Sequence, residues 1–239
     1  MFDLKMHNLH HFKTLESTND YAKAHYAKLP SGSVILADVQ TKGRGRFNRE
    51  WHSGSGGLWF SIILHHRHPE KSFLLTFAAA ASVACAIKEL GLAASVKWPN
   101  DVYVGGKKVC GILTENVMCG RETVSIIGIG INVNNDVWLA SATTLKSLLL
   151  RRLDKAKVLS SVLDRFWAYS ADFSGAGSKM IIHDWESCWH QKAKKVHLFT
   201  VSGVVNGCAV GISPSGALVI KTDSGKRREV LEGDLSRIY

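Results

Sequence analysis

Between residues 40 and 61 the chain runs Gln-Thr-Lys-Gly-Arg-Gly-Arg-Phe-Asn-Arg-Glu-Trp-His-Ser-Gly-Ser-Gly-Gly-Leu-Trp-Phe-Ser, with Lys42, Arg44, Arg46 and Arg49 crowded together and no acid before Glu50. Gly43 and Gly45 alternate with the arginines, so the backbone can reach φ > 0 and come close to a ligand. A guanidinium binds phosphate or carboxylate through paired N–H bonds, so cations and bare amides on a loose segment suit an anionic ligand. Trp51 adds a flat face on which a purine can stack. The same composition also describes a solvated basic loop. The loop alone leaves both readings open.

Two further stretches carry possible chemistry. One is Lys97-Trp-Pro-Asn-Asp101 with Lys107-Lys-Val-Cys-Gly-Ile-Leu113, and the other is Gly128-Ile-Gly-Ile-Asn132. The groups His65, His66, His68 and His7, His10, His11 lack an acid or cysteine at a metal-ligand spacing, so they are read as histidines at element ends. Five scattered cysteines without Cys-x-x-Cys argue against a disulfide framework or zinc site and for a reducing, cytoplasmic setting. No apolar signal core opens the chain. Its longest nearly apolar run, Phe73 to Ile87, is too short to span a bilayer, so no membrane partner is expected.

Several elements must position these residues. His10–Leu15 predicts a strand, and Ser17-Thr-Asn-Asp20 a capping pattern that opens a helix to about Leu29. Ser33–Val39 and Leu58–His65 read as strands on either side of the Arg-Gly loop. Ser72–Leu90 is Ala-rich, apolar over most of its circumference and helical, and Gly91 stops it. Strands follow at Ser95–Pro99, on both sides of a tight Gly105-Gly106 hairpin, and after Cys119-Gly120. A loop and short helix over 135–150, an amphipathic helix over Lys155–Phe173 and a short helix over Ile181–Trp189 complete the larger part. From Lys195, short β-runs (Val196–Val201, Gly203–Val210, Ala217–Thr222, Arg228–Leu231) alternate with turns, as in a small SH3-like β-barrel. Hairpins with only occasional helices give an α+β sheet rather than a doubly wound one. The division expected is residues 1–190 and 191–239.

A chain of 239 residues with 46% apolar and 21% charged content has material for a sizeable core, and its net charge of +10 points to an anionic partner. Nucleic acid, a nucleotide and an acidic protein all remain open on charge alone.

Taken in order, Gly43-Arg-Gly-Arg-Phe-Asn-Arg-Glu-Trp51, Lys97-Trp-Pro-Asn-Asp101 with Lys107 to Leu113, and Gly128-Ile-Gly-Ile-Asn132 resemble the biotin–protein ligases. The likeness runs from Glu16-Ser-Thr-Asn19 through the C-terminal β-runs. It implies a catalytic domain like the class II aminoacyl-tRNA synthetases, with a mixed β-sheet, plus the SH3-like unit. It also implies an enzyme that forms biotinyl-5′-AMP from biotin and MgATP, then transfers the biotinyl group to one lysine of a biotin carboxyl carrier protein. A carboxylate must then attack an α-phosphate, and cations that neutralise both anions are the main need.

By the resemblance, Arg46 and Lys108 sit where carboxylate and α-phosphate meet, and Asp101 either helps the incoming amine lose its proton or orients a ligand. Ser17, Thr18, Asn19 and Gln40 contact the biotin rings. Gly111, Ile112, Gly128, Gly130 and Ile131 line the pocket, with Trp59 and Ser61 behind. Gly43, Arg44, Gly45, Arg46 and Lys108 complete the biotin site. Arg46, Arg49, Trp51, Asn100, Lys108 and Asn132 hold ATP, with Trp51 on adenine and the two asparagines toward the phosphates or their Mg²⁺. No side chain is directly assigned to the metal. Asn48 replaces a glycine usual in the loop and Cys110 a small residue, and neither change removes a cation. The loop, with few apolar anchors, is expected to be mobile when empty and to close over its ligands.

The resemblance begins within about 16 residues of the start, so a ligase without an N-terminal DNA-binding domain is expected, with no specific DNA partner. Monomer and homodimer both stay open. A lipoate–protein ligase is the neighbouring reading, and a basic nucleic-acid-binding module, supported by charge and by Lys192–Lys195 and Lys226–Arg228, is the reading from another class.

Overall fold

Alternating and continuous apolar runs become strands here because each has a second layer to cover it. In the computed structural model, residues 8–200 and 203–238 are described, the side chains of 234–238 excepted; His7 and Val201 lie outside them. Strands β1 (Leu9–Leu15), β2 (Val34–Gln40), β3 (Leu58–His66), β4 (Ala94–Lys97), β5 (Asp101–Val104), β6 (Lys107–Cys119) and β7 (Glu122–Ile131) form one sheet in the order β1-β2-β3-β7-β6-β5-β4. β1 and β2 are parallel and the other pairs antiparallel, so the sheet is mixed, as expected.

The two-residue period of β7 divides the molecule. Ile127, Ile129 and Ile131 point into the main core with Cys110, Ile112 and the helix α2 (Phe73–Glu89). On the other face, Val124 and Ile126 pack with Ala22 of helix α1 (Thr18–His25), Ile35 and Ile63. The capping pattern at Ser17 is realised: its side chain accepts from the amide of Asp20 at 3.3 Å, and a 3₁₀ turn over Tyr26–Lys28 finishes the segment.

Helix α2 is buried almost all round, between the sheet and helices α4 (Lys155–Ser170) and α5 (Gly177–Ser187). Its Phe77 stacks on Trp185 with centroids 4.6 Å apart. The segment Pro69–Glu89 is longer than the apolar run read from the sequence, and by length and composition alone it is long and apolar enough to cross a bilayer. With 72% of its apolar window buried inside the protein, its hydrophobicity is accounted for by the core. A short α3 (Leu145–Leu149) falls in the 135–150 stretch, capped by Thr144, which accepts from Ser147 N.

The C-terminal β-unit has five strands where four β-runs were expected: β8 (Lys195–Thr200), β9 (Gly203–Ile212), β10 (Leu218–Lys221), β11 (Arg227–Val230) and β12 (Asp234–Ile238), in the order β11-β10-β9-β8-β12. The fifth, Asp-Leu-Ser-Arg-Ile, is short and polar, so its pattern is weak by itself; pairing with β8 defines it. This antiparallel sheet is consistent with the SH3-like expectation. It is fastened beside the Lys97–Asp101 motif, where the Trp98 amide donates to Gln191 Oε1 at 3.2 Å and the Trp98 indole to the Gly216 carbonyl at 3.3 Å.

Candidate active site

A cleft of about 290 Å³ opens where β6 and β7 turn glycine toward one face. Gly111 pairs with Gly130, and Gly128 with Leu113 on one side and Ser61 on the other. A Cβ on Gly130 would lie 2.4 Å from the Trp51 indole nitrogen, and one on Gly128 would lie 2.3 Å from Asn19 Oδ1. Both are below any real contact, so the floor must stay bare. The Trp51 indole rests on this floor, with Lys108 Nζ 5.1 Å from its ring centroid. The indole Nε1 is buried against the Gly130 position with no hydrogen-bond partner.

A continuous polar wall rises beside the floor. Gln40 Oε1 accepts from the Thr18 amide at 2.8 Å and from Thr18 Oγ1 at 3.0 Å, and Gln40 Nε2 donates to Ser53 Oγ at 2.8 Å. Ser61 Oγ lies 2.7 Å from Thr18 Oγ1 and 2.6 Å from Asn19 Oδ1. Burial without these partners would be costly for each group. Together they present donors and acceptors inside an otherwise apolar recess, suited to a ligand with both.

The Arg-Gly loop is a hairpin, with Trp51 N donating to Gly43 O at 2.9 Å and Gly45 N to Arg49 O at 2.8 Å. At its tip a 3₁₀ turn over Arg46–Asn48 holds Phe47 and Asn48 at φ 57° and 54°. Asparagine tolerates the left-handed region well, which fits its place in the loop; phenylalanine there is uncommon. The Arg46 guanidinium lies 4.8 Å from the Phe47 centroid, and its Nη2 donates to Gly233 O at 3.3 Å, reaching the C-terminal unit. Arg44 bonds Asp20 and lies near Glu115, while Lys42 pairs with Glu16 at 2.9 Å. Acids from α1, β6 and the β1–α1 connection offset the charge of the loop.

Lys108 and Asp101 form an ion pair of 2.7 Å at the side of the cleft, their side chains 28% and 18% exposed. The Lys108 backbone is fixed by the 141–143 segment, donating to Ser141 O at 2.8 Å and accepting from Thr143 N at 2.9 Å. Lys107 is exposed and outside the cleft lining. Asn100 Nδ2 donates to Ile112 O at 2.7 Å, and Asn132 Oδ1 accepts from Asn135 at 3.1 Å. Complete burial pushes the Cys110 thiol well up, so it stays protonated and cannot serve as a thiolate nucleophile. Among the element-end histidines, His66 contacts Ser125 and His11 pairs with Asp38.

The cleft thus gathers Ser17, Thr18, Asn19 and Gln40; Arg44, Gly45, Arg46, Arg49 and Trp51; Asn100, Asp101 and Lys108; and Gly111, Ile112, Gly128, Gly130 and Asn132. Gly43, Trp59 and Ser61 are buried behind it. Ile131 faces the main core instead of lining the cleft, since it is one residue from Gly130 on a strand. Residues not anticipated from the sequence include Phe47, Tyr103 and the 136–139 segment, whose Trp138 is 83% exposed at the rim. An aromatic in a polar connection was the available signal for Trp138.

Comparison with known proteins places this geometry. The biotin/lipoate A/B protein ligase family model matches residues 11–134, and the biotin protein ligase C-terminal domain model matches residues 195–237. The bifunctional ligase/repressor BirA of Bacillus subtilis is 37% identical over 209 residues, 83% of this chain and 64% of the relative, so the chain spans just under two thirds of that relative's length. The biotin--[acetyl-CoA-carboxylase] ligase of Paracoccus denitrificans is 27% identical over 89% of this chain and 93% of its own length. Among solved structures, the biotin protein ligase of Aquifex aeolicus in complex with biotin and ATP superposes with a TM-score of 0.84 at 34% identity, covering 97% of this chain and 99% of that one. With the first model matching more than half of its residues, the chain belongs to the biotin/lipoate A/B protein ligase family.

Proposed function

We propose that this protein is an ATP-dependent ligase that converts biotin to biotinyl-5′-AMP and transfers the biotinyl group to one lysine of a biotin carboxyl carrier protein. The observation that carries the reading is the Lys108–Asp101 pair beside a glycine-floored cleft that an arginine hairpin overhangs. The bound biotin and ATP in the Aquifex relative support it. In this reading residues 1–190 are the catalytic unit and 191–239 the β-unit, in a cytoplasmic setting that the five free cysteines suit.

The polar wall takes the ureido ring of biotin, and the glycine floor lets the bicycle lie against the sheet. The carboxylate oxygen attacks the α-phosphorus, and pyrophosphate leaves. Lys108 turns from Asp101 to the α-phosphate, and Arg46 joins it from the loop, so two cations offset the charge that grows there. The Asp101 carboxylate, released from Lys108, accepts a proton from the carrier lysine as its amine attacks the mixed anhydride and AMP departs. Arg49 and Trp51 serve the nucleotide, with Asn100 and Asn132 on its phosphate side. Magnesium enters with ATP. When bound, it would offset phosphate charge, and Asn100 and Asn132 would stand on the side where it is carried.

Biotin-dependent ATP–pyrophosphate exchange on the purified chain tests the reading directly. Exchange supported by lipoate and not by biotin would move it to the neighbouring ligase. No exchange with either acid would remove it.

A further inference from the structure

One carboxylate joins the polar wall of the cleft to the arginine loop. Glu115 lies on β6, on the same face as Gly111 and Leu113, opposite Ile126 of β7. Its Oε2 accepts from Asn19 Nδ2 at 2.8 Å. Its Oε1 accepts from Lys23 Nζ and lies 3.8 Å from Arg44 Nη1. Arg44 also bonds Asp20, and Lys23 Nζ is 3.9 Å from Asp20 Oδ1. Two acids and two bases therefore alternate around a closed ring, with the Glu115 side chain 22% exposed. Screening by solvent is weaker there than at the surface.

The ring also fixes an orientation. Asn19 Nδ2 donates to Glu115 and, at 3.2 Å, to Leu113 O, which leaves Asn19 Oδ1 turned to Ser61. An ionised carboxylate can only accept, so it admits one way round for the amide. From Ser61 and Thr18 the bonds run through Gln40 to Ser53, whose hydroxyl donates to Trp51 O at 3.0 Å. Arg44 is on the entering stem of the loop and Trp51 on the leaving stem. Glu115 closes the circuit between them.

We propose that Glu115 is a positioning residue that orients Asn19 for the polar ring of the substrate and, through Arg44, couples that orientation to the arginine loop. It rests on the biotin reading above for the identity of the ligand. An amide at this position would turn its oxygen to Arg44 and Lys23 and its NH₂ to Asn19, reversing the Asn19 amide and removing the charge that holds Arg44.

The experiment uses the full chain, with biotin affinity measured by calorimetry and loop opening by tryptic cleavage within 42–57. Glu115→Gln is expected to raise the biotin Kd about ten- to a hundredfold and to speed loop cleavage in the ligand-free protein. In exchange assays the biotin KM should rise more than kcat falls. Asn19→Ala and Arg44→Ala should each weaken biotin binding, with a combined effect that departs from their product by at least about threefold. In the Glu115→Gln background the two effects should multiply. Unchanged biotin Kd and loop cleavage in Glu115→Gln, or effects of Asn19→Ala and Arg44→Ala that already multiply when Glu115 is present, would overturn the proposal. Should Glu115→Gln fail to fold, the Asn19/Arg44 cycle alone decides. A wild-type chain that binds no biotin would sink the functional reading instead, and the cleavage of Glu115→Gln would still score the tie between Glu115 and the loop.

Discussion

One face of the central sheet has two halves that differ in what covers them. On β7, Val124 and Ile126 lie beneath α1 in a close-packed apolar cluster with Ile35 and Ile63. Two and four residues beyond Ile126 on the same face, Gly128 and Gly130 carry no side chain at all; Asn19 and Trp51 from other segments lie against them, and both glycines line the cleft. The backbone ladder is continuous through both halves, so the difference lies in side chains alone. Where Cβ atoms and branched chains fill the layer, burial stabilises the fold. Where they are withheld, the sheet forgoes that stabilisation and gains a floor on which a ligand can lie. Glu115 stands at the boundary, paired across the ladder with Ile126 and bonded to the cleft wall.

The comparison predicts that substitutions in the two halves separate chemistry from stability. The largest effect belongs to Lys108. Lys108→Ala should lower biotin-dependent pyrophosphate exchange by ~10²–10³, the loss of roughly 3–4 kcal/mol of transition-state charge stabilisation, with little change in Tm. Lys107→Ala, on the exposed neighbour, is the control. Near-wild-type exchange by Lys108→Ala would take the lysine out of the mechanism.

In the packed half the readouts should reverse. Ile126 is fully buried, and Ile126→Ala should cost about 3 kcal/mol of stability through lost burial and a residual cavity. For a chain of this size that is a Tm drop of roughly 6–12 °C, with the biotin KM nearly unchanged below the melt. A large KM change in protein that is still fully folded would show that the two halves are not independent.

The division into halves was partly legible in the sequence. Cations, glycines and the Lys-Trp-Pro-Asn-Asp motif announce chemistry by residue type, so the cleft residues could be named without knowing where the strands cross. Ile131 was misplaced beside Gly130 although the two-residue period puts them on opposite faces. Glu115 escaped notice for a different reason. Its partners Asn19, Lys23 and Arg44 come from distant segments, and only the fold brings a β6 carboxylate to α1 and the loop. The acids that offset the loop's charge cannot be read from spacing along the chain, because Glu16, Asp20 and Glu115 come from other segments. β12 was missed since its order comes from its neighbour β8.

A smaller effect is expected from filling the bare half. In Gly128→Ala the new methyl would meet Asn19 Oδ1 at 2.3 Å, and Asn19 must move. Overpacking of this kind costs about 1–3 kcal/mol. Because the group that yields is in the polar wall, the loss should appear in biotin affinity, about five- to 150-fold, more than in Tm. Titration calorimetry beside a thermal melt measures both. A variant that loses Tm while binding biotin like the wild type would place Gly128 with the packed half.

The smallest effect lies at the far end of β3 and concerns pH. His66 Nε2 is 2.8 Å from Ser125 Oγ, whose hydroxyl donates to Asn116 Oδ1 at 2.7 Å. Ser125 must therefore accept from His66, which puts the proton on Nε2. The remaining nitrogen, Nδ1, accepts from the His68 amide at 3.2 Å. Charging the ring requires a proton on Nδ1, so the His68 bond must break. Burial, then the neighbouring His68, lower the His66 pKa below its ordinary 6.5; His65 acts the same way and Glu70 opposes them. The unfolded chain then binds a proton here more readily than the folded one. Stability from this group is complete above about pH 6.5 and is lost as pH falls through the lower folded value. The ring is partly solvated, so the change should be modest, about a degree or two in Tm between pH 7.5 and pH 5. His66→Gln keeps a donor for Ser125 without a titrating nitrogen and should flatten that part of the profile. The biotin KM should show no step traceable to His66, because Ser125 and His68 lie outside the cleft lining. Equal acid sensitivity in wild type and His66→Gln would rule out the tautomer argument, and a His66-dependent step in KM would mean that this end of the sheet communicates with the cleft.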